Sequence, residues 1–194
     1  MQRILPMTLS QAIVTRQGLP AQALLVLAGS ALIAVAAKIS VPMLPVSMTL
    51  QTLAILVVGL SFGARLGALT LVAYLAQGAA GLPVFSPTTA PGLAAFAGPT
   101  AGFLFGFVLM AAMAGWASDR GLTRRLPGAV AAAVAASVLL YVPGLAWPAL
   151  AMGKSVPDLL SGWMLPFLAG DAVKAVLAAL VVTGAWTALG ARRG

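Results

Sequence analysis

Residues 164–189 read MLPFLAGDAVKAVLAALVVTGAWTAL. The run is long enough to cross a bilayer core, which takes about 20 apolar residues. Its only charged residues are Asp171 and Lys174, which lie three positions apart. Each charge at the centre of a membrane costs about 2.5 kcal/mol or more, so charges at that depth mark binding sites or transport paths. We predict that this pair is the centre of a functional site.

The composition of the whole chain indicates a membrane protein. Its 194 residues are 61% hydrophobic and 7% charged, whereas soluble domains carry about 25% charged residues. We predict an all-α membrane protein, a bundle of six transmembrane helices over 21–39, 46–62, 66–82, 99–117, 128–147 and 164–189. Residues 1–20 form a cytoplasmic segment in this prediction, residues 21–190 form the single transmembrane domain, and residues 191–194 form a cytoplasmic tail.

The basic residues predict the orientation of the bundle. Loops rich in arginine and lysine stay in the cytoplasm. With six crossings, two lysines, Lys38 and Lys154, fall on the outer side. The arginines share the opposite side with both termini: Arg3, Arg16, Arg65, Arg120, Arg124, Arg125, Arg192 and Arg193. We therefore expect both termini to be cytoplasmic, in a multi-pass protein of the bacterial cytoplasmic membrane.

Missing residue types exclude most enzyme classes. The sequence has no Cys, His or Glu, so thiol nucleophiles, imidazole bases and Cys/His metal sites cannot be built. No phosphate-binding loop of the G-x-x-x-x-G-K-[ST] type occurs either, so ATP hydrolysis would have to come from a partner. We expect no enzyme activity, no cofactor and no metal. Scattered basic residues without stacking aromatics argue against a nucleic-acid partner.

Asp171 and Lys174 together offer carboxylate acceptors beside an ammonium donor. A ligand with two N–H groups flanking a carbonyl would match this pair. Two alternatives remain open from the residues alone: the pair satisfies only itself, or Asp171 titrates in a proton-coupled carrier or channel.

Other polar and aromatic residues complete the predicted substrate site. Gln51 and Gln77 are predicted at the depth of Asp171, and each alone is commonly an interhelical hydrogen bond. The remaining candidates are Thr49, Tyr74, Phe85 and Phe103. We predict that these side chains surround the charged pair.

Small residues recur at helical spacing on the first helix, where Ala23, Ser30, Ala34 and Ala37 are predicted to form one face. Gly102 and Gly106 form a G-x-x-x-G pattern on the fourth. Such faces allow close helix packing, either within the bundle or against another membrane protein.

Four motifs resemble the BioY family of biotin transporters, which are S components of energy-coupling-factor systems. They are PMLPVSMTLQT at 42–52, GLPVF at 81–85, GPT at 98–100 and GDAVK at 170–174. The resemblance runs from residue 38 to residue 182. Two stretches depart from it: SPTTAPG at 86–92 replaces a glycine-rich loop, and AGF at 101–103 replaces Gly-Gly-Tyr.

The resemblance implies a six-helix bundle that binds biotin from outside the cell. It also implies association with a transmembrane coupling protein and two ABC-type ATPases. In the family, the Asp and Lys of the last helix belong to the biotin site, and here they are Asp171 and Lys174. The small-residue face of the first helix resembles the surface that docks to the coupling protein.

Overall fold

The computed structural model describes residues 8–14, 18–43 and 46–191. The helices in these ranges are α1 (Leu9–Ile13), α2 (Leu19–Lys38), α3 (Gln51–Phe62), α4 (Ala64–Ala79), α5 (Ala101–Asp119), α6 (Leu126–Met152), α7 (Val156–Leu159) and α8 (Leu165–Ala191). Two 3₁₀ turns cover Gly92–Phe96 and Leu122–Arg124, and a π turn at Leu160–Met164 joins α7 to α8. One two-stranded hairpin pairs β1 (Ser40–Val41) with β2 (Met48–Thr49).

Several helices are long and apolar enough to cross a membrane, as expected of a multi-pass membrane protein. Within the described ranges four meet this requirement: Leu19–Lys38, Ala101–Asp119, Leu126–Met152 and Val156–Gly190. The apolar helix α3 is shorter, with 12 residues. The predicted crossings by α3 and α4 therefore stay a prediction. Arg3, Arg16, Arg192 and Arg193, on which part of the orientation rests, lie outside the described residues.

Two predicted helix boundaries are wrong. The second helix begins at Gln51 rather than residue 46, because Met48 and Thr49 pair with β1 and the Leu50 amide donates to the Ile39 carbonyl at 3.0 Å. The fifth helix continues through Pro148 to Met152 instead of ending at residue 147. Proline is tolerated in transmembrane helices because neighbouring groups satisfy the freed backbone atoms.

Glycines allow the central helix α5 to approach its neighbours closely. A Cβ at Gly102 would overlap the Pro143 carbonyl oxygen, and one at Gly106 would lie 2.8 Å from the Leu140 side chain, so the predicted G-x-x-x-G packs against α6. At the other end of α5, a Cβ at Gly115 would overlap the backbone of Gly63. Backbone contact of this kind brings helices together without large side chains.

The turn between α3 and α4 is fastened to the end of α5. Gly63 has a φ of 85°, a conformation that favours glycine. The Asp119 Oδ2 atom accepts a hydrogen bond from the Ala64 amide at 3.0 Å, and the Ser118 hydroxyl donates to the Leu60 carbonyl at 2.7 Å. Because this turn is fixed, α3 and α4 run antiparallel, and the start of α3 lies at the opposite end of the bundle.

Replacing Gly115 by valine should destabilise the fold, because the new side chain would meet the Gly63–Ala64 backbone, which cannot move without disturbing the turn. We expect the free energy of unfolding to fall by about 2–3 kcal/mol, as for overpacked cores. Thermal unfolding of the detergent-solubilised protein measures the change. Gly184→Val is the matched control, since a Cβ at Gly184 in α8 meets nothing within 4 Å. Equal melting temperatures for the two variants would contradict this packing.

Candidate functional site

A cavity of about 90 Å³, partly open to solvent, lies at the end of the bundle away from the Gly63 turn. It lies between α3, α5, α6 and α8, and the β2 strand and the loop before α5 form its mouth. Its described lining is Val46, Ser47, Met48, Thr49, Gln51, Thr52, Ser86, Thr88, Thr89, Thr100, Phe103, Leu104, Phe107, Leu140, Tyr141, Trp163, Phe167, Asp171 and Lys174.

Asp171 and Lys174 form an ion pair in the wall of this cavity. The Lys174 ammonium donates to Asp171 Oδ1 at 3.2 Å, and the side chains are only 8% and 13% exposed, respectively. The Tyr141 hydroxyl on α6 donates to the other carboxylate oxygen, Oδ2, at 2.6 Å. Both oxygens of Asp171 therefore have a donor. Each carboxylate oxygen has a second lone pair, so the group can accept further hydrogen bonds from a ligand.

The cavity face of the last helix is a single stripe of side chains. Trp163, Phe167, Asp171 and Lys174 follow one another at intervals of four, four and three residues, which is the spacing of neighbours on one helical face. Trp163, the first member of the stripe, lies in the π turn just before α8, and π turns recur at functional sites. The helix thus presents two aromatic rings above its charged pair.

A hydrogen-bond relay fixes the orientation of Gln51. The Tyr74 hydroxyl donates its proton to the Val84 carbonyl at 2.9 Å, so it accepts the hydrogen bond from Gln51 Nε2, also at 2.9 Å. The amide nitrogen of Gln51 thus points toward Tyr74. Within the described ranges, the Oε1 atom of Gln51 has no hydrogen-bond partner. This oxygen is an acceptor that a ligand can use.

An apolar wall faces the polar groups. The Phe103 and Tyr141 rings meet edge to face, with centroids 6.2 Å apart. Phe103 lies against Gly144 on α6, where a Cβ would be 2.5 Å from the ring. Leu104, Phe107 and Leu140 add to this wall. The cavity therefore combines a flat aromatic surface with a few converging hydrogen-bonding groups.

The structure brings five of the predicted substrate residues to the cavity: Thr49, Gln51, Phe103, Asp171 and Lys174. The other three lie behind its lining. Tyr74 orients Gln51, and the Phe85 ring packs over Gly78, where a Cβ would overlap it. Gln77 donates to the Ser30 hydroxyl at 3.0 Å, which joins α4 to α2.

The predicted docking face of the first helix is divided in the structure. Ser30 and Ala37 are buried inside the bundle, Ala34 is half-buried, and Ala23 is exposed. Ser30 and Ala37 therefore contribute to packing within the chain. The exposed large apolar side chains of α2 are Leu19, Leu24, Leu27, Leu32 and Val35.

Sequence reasoning missed Tyr141, although a signal was present. The chain has only two tyrosines, and Tyr141 lies within an apolar helix, where its hydroxyl needs a partner. Phe167 and the loop residues Ser86, Thr88 and Thr89 were also missed. Thr52 lines the cavity as well, and its buried hydroxyl has no partner among the described residues.

The site is equipped for binding rather than for bond breaking. Hydroxyl, carboxylate, amide and ammonium groups surround an apolar space. Among the described residues, no group of three or more Asp, Glu, His or Cys side chains could hold a metal ion. The arrangement can bind a small, partly apolar molecule that carries both donors and acceptors.

Breaking the ion pair from one side should destabilise the protein more than removing it altogether. Lys174→Met leaves a buried carboxylate with one donor, and Asp171→Asn leaves a buried ammonium without an anion. We expect each to lower the free energy of unfolding by on the order of 3 kcal/mol. The double variant should lose less stability than the sum of the losses in the two single variants. Thermal unfolding of the parent, the two single variants and the double variant measures the coupling energy. Strictly additive losses would contradict a direct pair.

Known proteins resemble this chain along most of its length. The family model of the BioY family matches residues 7–191. The biotin transporter BioY of Rhizobium etli is 38% identical over 150 residues, which cover 74% of this chain and 79% of that protein. The probable biotin transporter BioY of Pyrococcus horikoshii is 35% identical, over 78% of this chain and 87% of that protein.

The fold is also similar to a solved structure. The crystal structure of the S-component for biotin from an ECF-type ABC transporter superposes with a TM-score of 0.73 at 21% identity, over 87% of this chain and 94% of that one. At this identity the likeness concerns the fold, while the family match covers nearly all of the sequence. The chain belongs to the BioY family.

Proposed function

We propose that this protein binds biotin and takes it up across the membrane, as the substrate-specific S component of an energy-coupling-factor transporter. Its relatives in Rhizobium etli and Thermotoga maritima are biotin transporters by name, and the one in Pyrococcus horikoshii is a probable biotin transporter. The observation that carries the proposal for this chain is the Asp171–Lys174 pair in the wall of a largely apolar cavity.

The groups in the cavity match the polar head of biotin. Its ureido ring has two N–H donors and one carbonyl acceptor. The Asp171 carboxylate and the Gln51 Oε1 atom supply acceptors, and the Lys174 ammonium supplies a donor. Hydrogen bonds to charged groups in a water-poor site are stronger than neutral ones. The aromatic wall at Phe103 and Trp163 suits the apolar body of the bicyclic ring.

The proposed orientation follows from the arginines. Arg65 lies in the first turn of α4, Arg120 follows α5, and Arg124 and Arg125 precede α6, all at the end away from the cavity. If this end is cytoplasmic, as basic loops usually are, the cavity opens to the outside. Both termini are then cytoplasmic and the bundle crosses the membrane six times, with α3 and α4 as its short helices.

The proposed partners are a transmembrane coupling protein and two ABC-type ATPases. The sequence has no phosphate-binding loop of its own, so any ATP hydrolysis that drives uptake must come from a partner. We propose that α2 contacts the coupling protein, since only 22% of its most apolar 18-residue stretch is buried inside the bundle. Ala23 and Ala34 are the members of the predicted docking face that remain accessible there.

Calorimetric titration of the detergent-solubilised protein with biotin tests the proposed ligand. We expect saturable binding with one site, and much weaker binding of an analogue that lacks the ureido carbonyl, because the Lys174 ammonium would lose its acceptor. Absence of saturable biotin binding to the parent protein would reject the proposal.

Asp171→Asn should weaken biotin binding by more than about 1.5 kcal/mol, because a charge-assisted hydrogen bond to the ligand is lost. The titration is made well below the unfolding temperature of the variant, so that instability does not mimic lost affinity. Asp158→Asn is the matched control, since that carboxylate is exposed in the α7 turn and bonded to Ser155 at 2.7 Å. Unchanged affinity in Asp171→Asn would place the ligand elsewhere.

A further inference from the structure

One edge of the cavity mouth is formed by residues 86–89, which we term the cavity arm. Ser86, Thr88 and Thr89 of this arm line the cavity. The arm is held together locally, because the Thr89 amide donates to the Ser86 carbonyl at 2.9 Å and the Ser86 and Thr88 hydroxyls lie 3.3 Å apart. The position of the arm over the ligand space therefore depends on what holds the residues just before it.

Two side chains bind consecutive carbonyls at the base of the arm. The Tyr74 hydroxyl donates to the Val84 carbonyl at 2.9 Å, from inside the bundle. The Lys38 ammonium donates to the Phe85 carbonyl at 2.6 Å. The Phe85 ring is itself buried over Gly78 and meets the Tyr74 ring edge to face. The Lys38 bond is thus the one that fixes the peptide linking Phe85 to the arm.

Lys38 acts on the cavity without touching it. It is not among the residues that line the cavity, and within the described ranges its ammonium has no carboxylate partner. A lysine at the end of a membrane helix would normally extend into the headgroup region. Here Lys38 stays exposed, but its ammonium donates to a backbone carbonyl 47 residues away in the chain.

The same end of α2 also holds another edge of the mouth, at β2. Directly after Lys38, Ile39 accepts a hydrogen bond from Leu50, and β1 pairs with β2, in which Met48 and Thr49 line the cavity. Residues 38–41 therefore connect both edges of the mouth to a single helix end.

We propose that Lys38 is a positioning residue that clamps the cavity arm in place, so that its release from the Phe85 carbonyl sets the rate at which the ligand leaves. This inference rests on the proposed function, because the ligand whose exit is controlled is the one bound at Asp171 and Lys174. The clamp lies outside the ligand contacts, and the ligand passes the arm on entry as well as on exit, so loss of the clamp should raise the association and dissociation rates together.

Dissociation of radiolabelled biotin from the purified protein in nanodiscs, chased with excess unlabelled biotin, tests the clamp. Biotin should dissociate from Lys38→Met about threefold to tenfold faster than from the parent. This factor corresponds to the loss of one hydrogen bond of about 0.5–1.5 kcal/mol. The association rate of this variant should rise by a similar factor, so that the affinity for biotin stays within about twofold of the parent. Lys38→Arg keeps a donor at this position and should restore slow dissociation.

Lys154→Met is the matched control for charge. It also removes one positive charge at this end of the bundle, from the connection between α6 and α7. Lys154 does not line the cavity. We expect biotin to dissociate from Lys154→Met at the parent rate. Equal acceleration in Lys38→Met and Lys154→Met, parent-like dissociation of Lys38→Met, or failure of arginine to rescue would each overturn the clamp.

A second readout needs no ligand. The chain has no cysteine, so Ser86→Cys introduces a single thiol at a buried position of the arm. Its labelling by a membrane-impermeant maleimide should be faster when combined with Lys38→Met and unchanged when combined with Lys154→Met. Equal labelling in all three backgrounds would overturn the clamp, whereas a parent that fails to bind biotin would overturn only the proposed ligand.

Discussion

The cavity depends on the interactions of the Asp171 carboxylate, which is the only anion among the described residues of the lining. A buried carboxylate is unstable unless donors compensate it. Lys174 provides one from the same helix and Tyr141 provides another from α6. Satisfying this charge therefore fixes α6 against α8, and it leaves the site electrically balanced before a ligand arrives.

The two sides of the lining are held in different ways. Phe103 is held in a space that exists because Gly144 has no side chain. Close packing of this kind leaves little freedom. The edges of the mouth are held by hydrogen bonds, from Lys38 and Tyr74 to the residues before the cavity arm and from Leu50 to Ile39. Met48 of β2 also packs against Gly170 there.

The sequence predicted features that are local along the chain. Hydrophobic runs placed most of the helices, and the spacing of Asp171 and Lys174 placed both on one face. It could not predict which faces meet, because periodicity does not determine the rotation of each helix in the bundle. Tyr74 therefore lies behind Gln51, and Ser30 and Ala37 face the core. The partners of Tyr141 and Lys38 are distant in sequence, and nothing near either residue identifies them.

Helix α2 combines two properties that few elements in a bundle share. It is the least buried of the long apolar helices described, at 22%, so most of its side chains are available to lipid or to a partner. Its last residues are nevertheless bound to both edges of the mouth. A tilt of α2 against the rest of the bundle would strain the Lys38 hydrogen bond and the hairpin together, because both are attached to residues 38–41. A contact that tilted α2 would therefore reach both edges of the mouth through the backbone of residues 38–41.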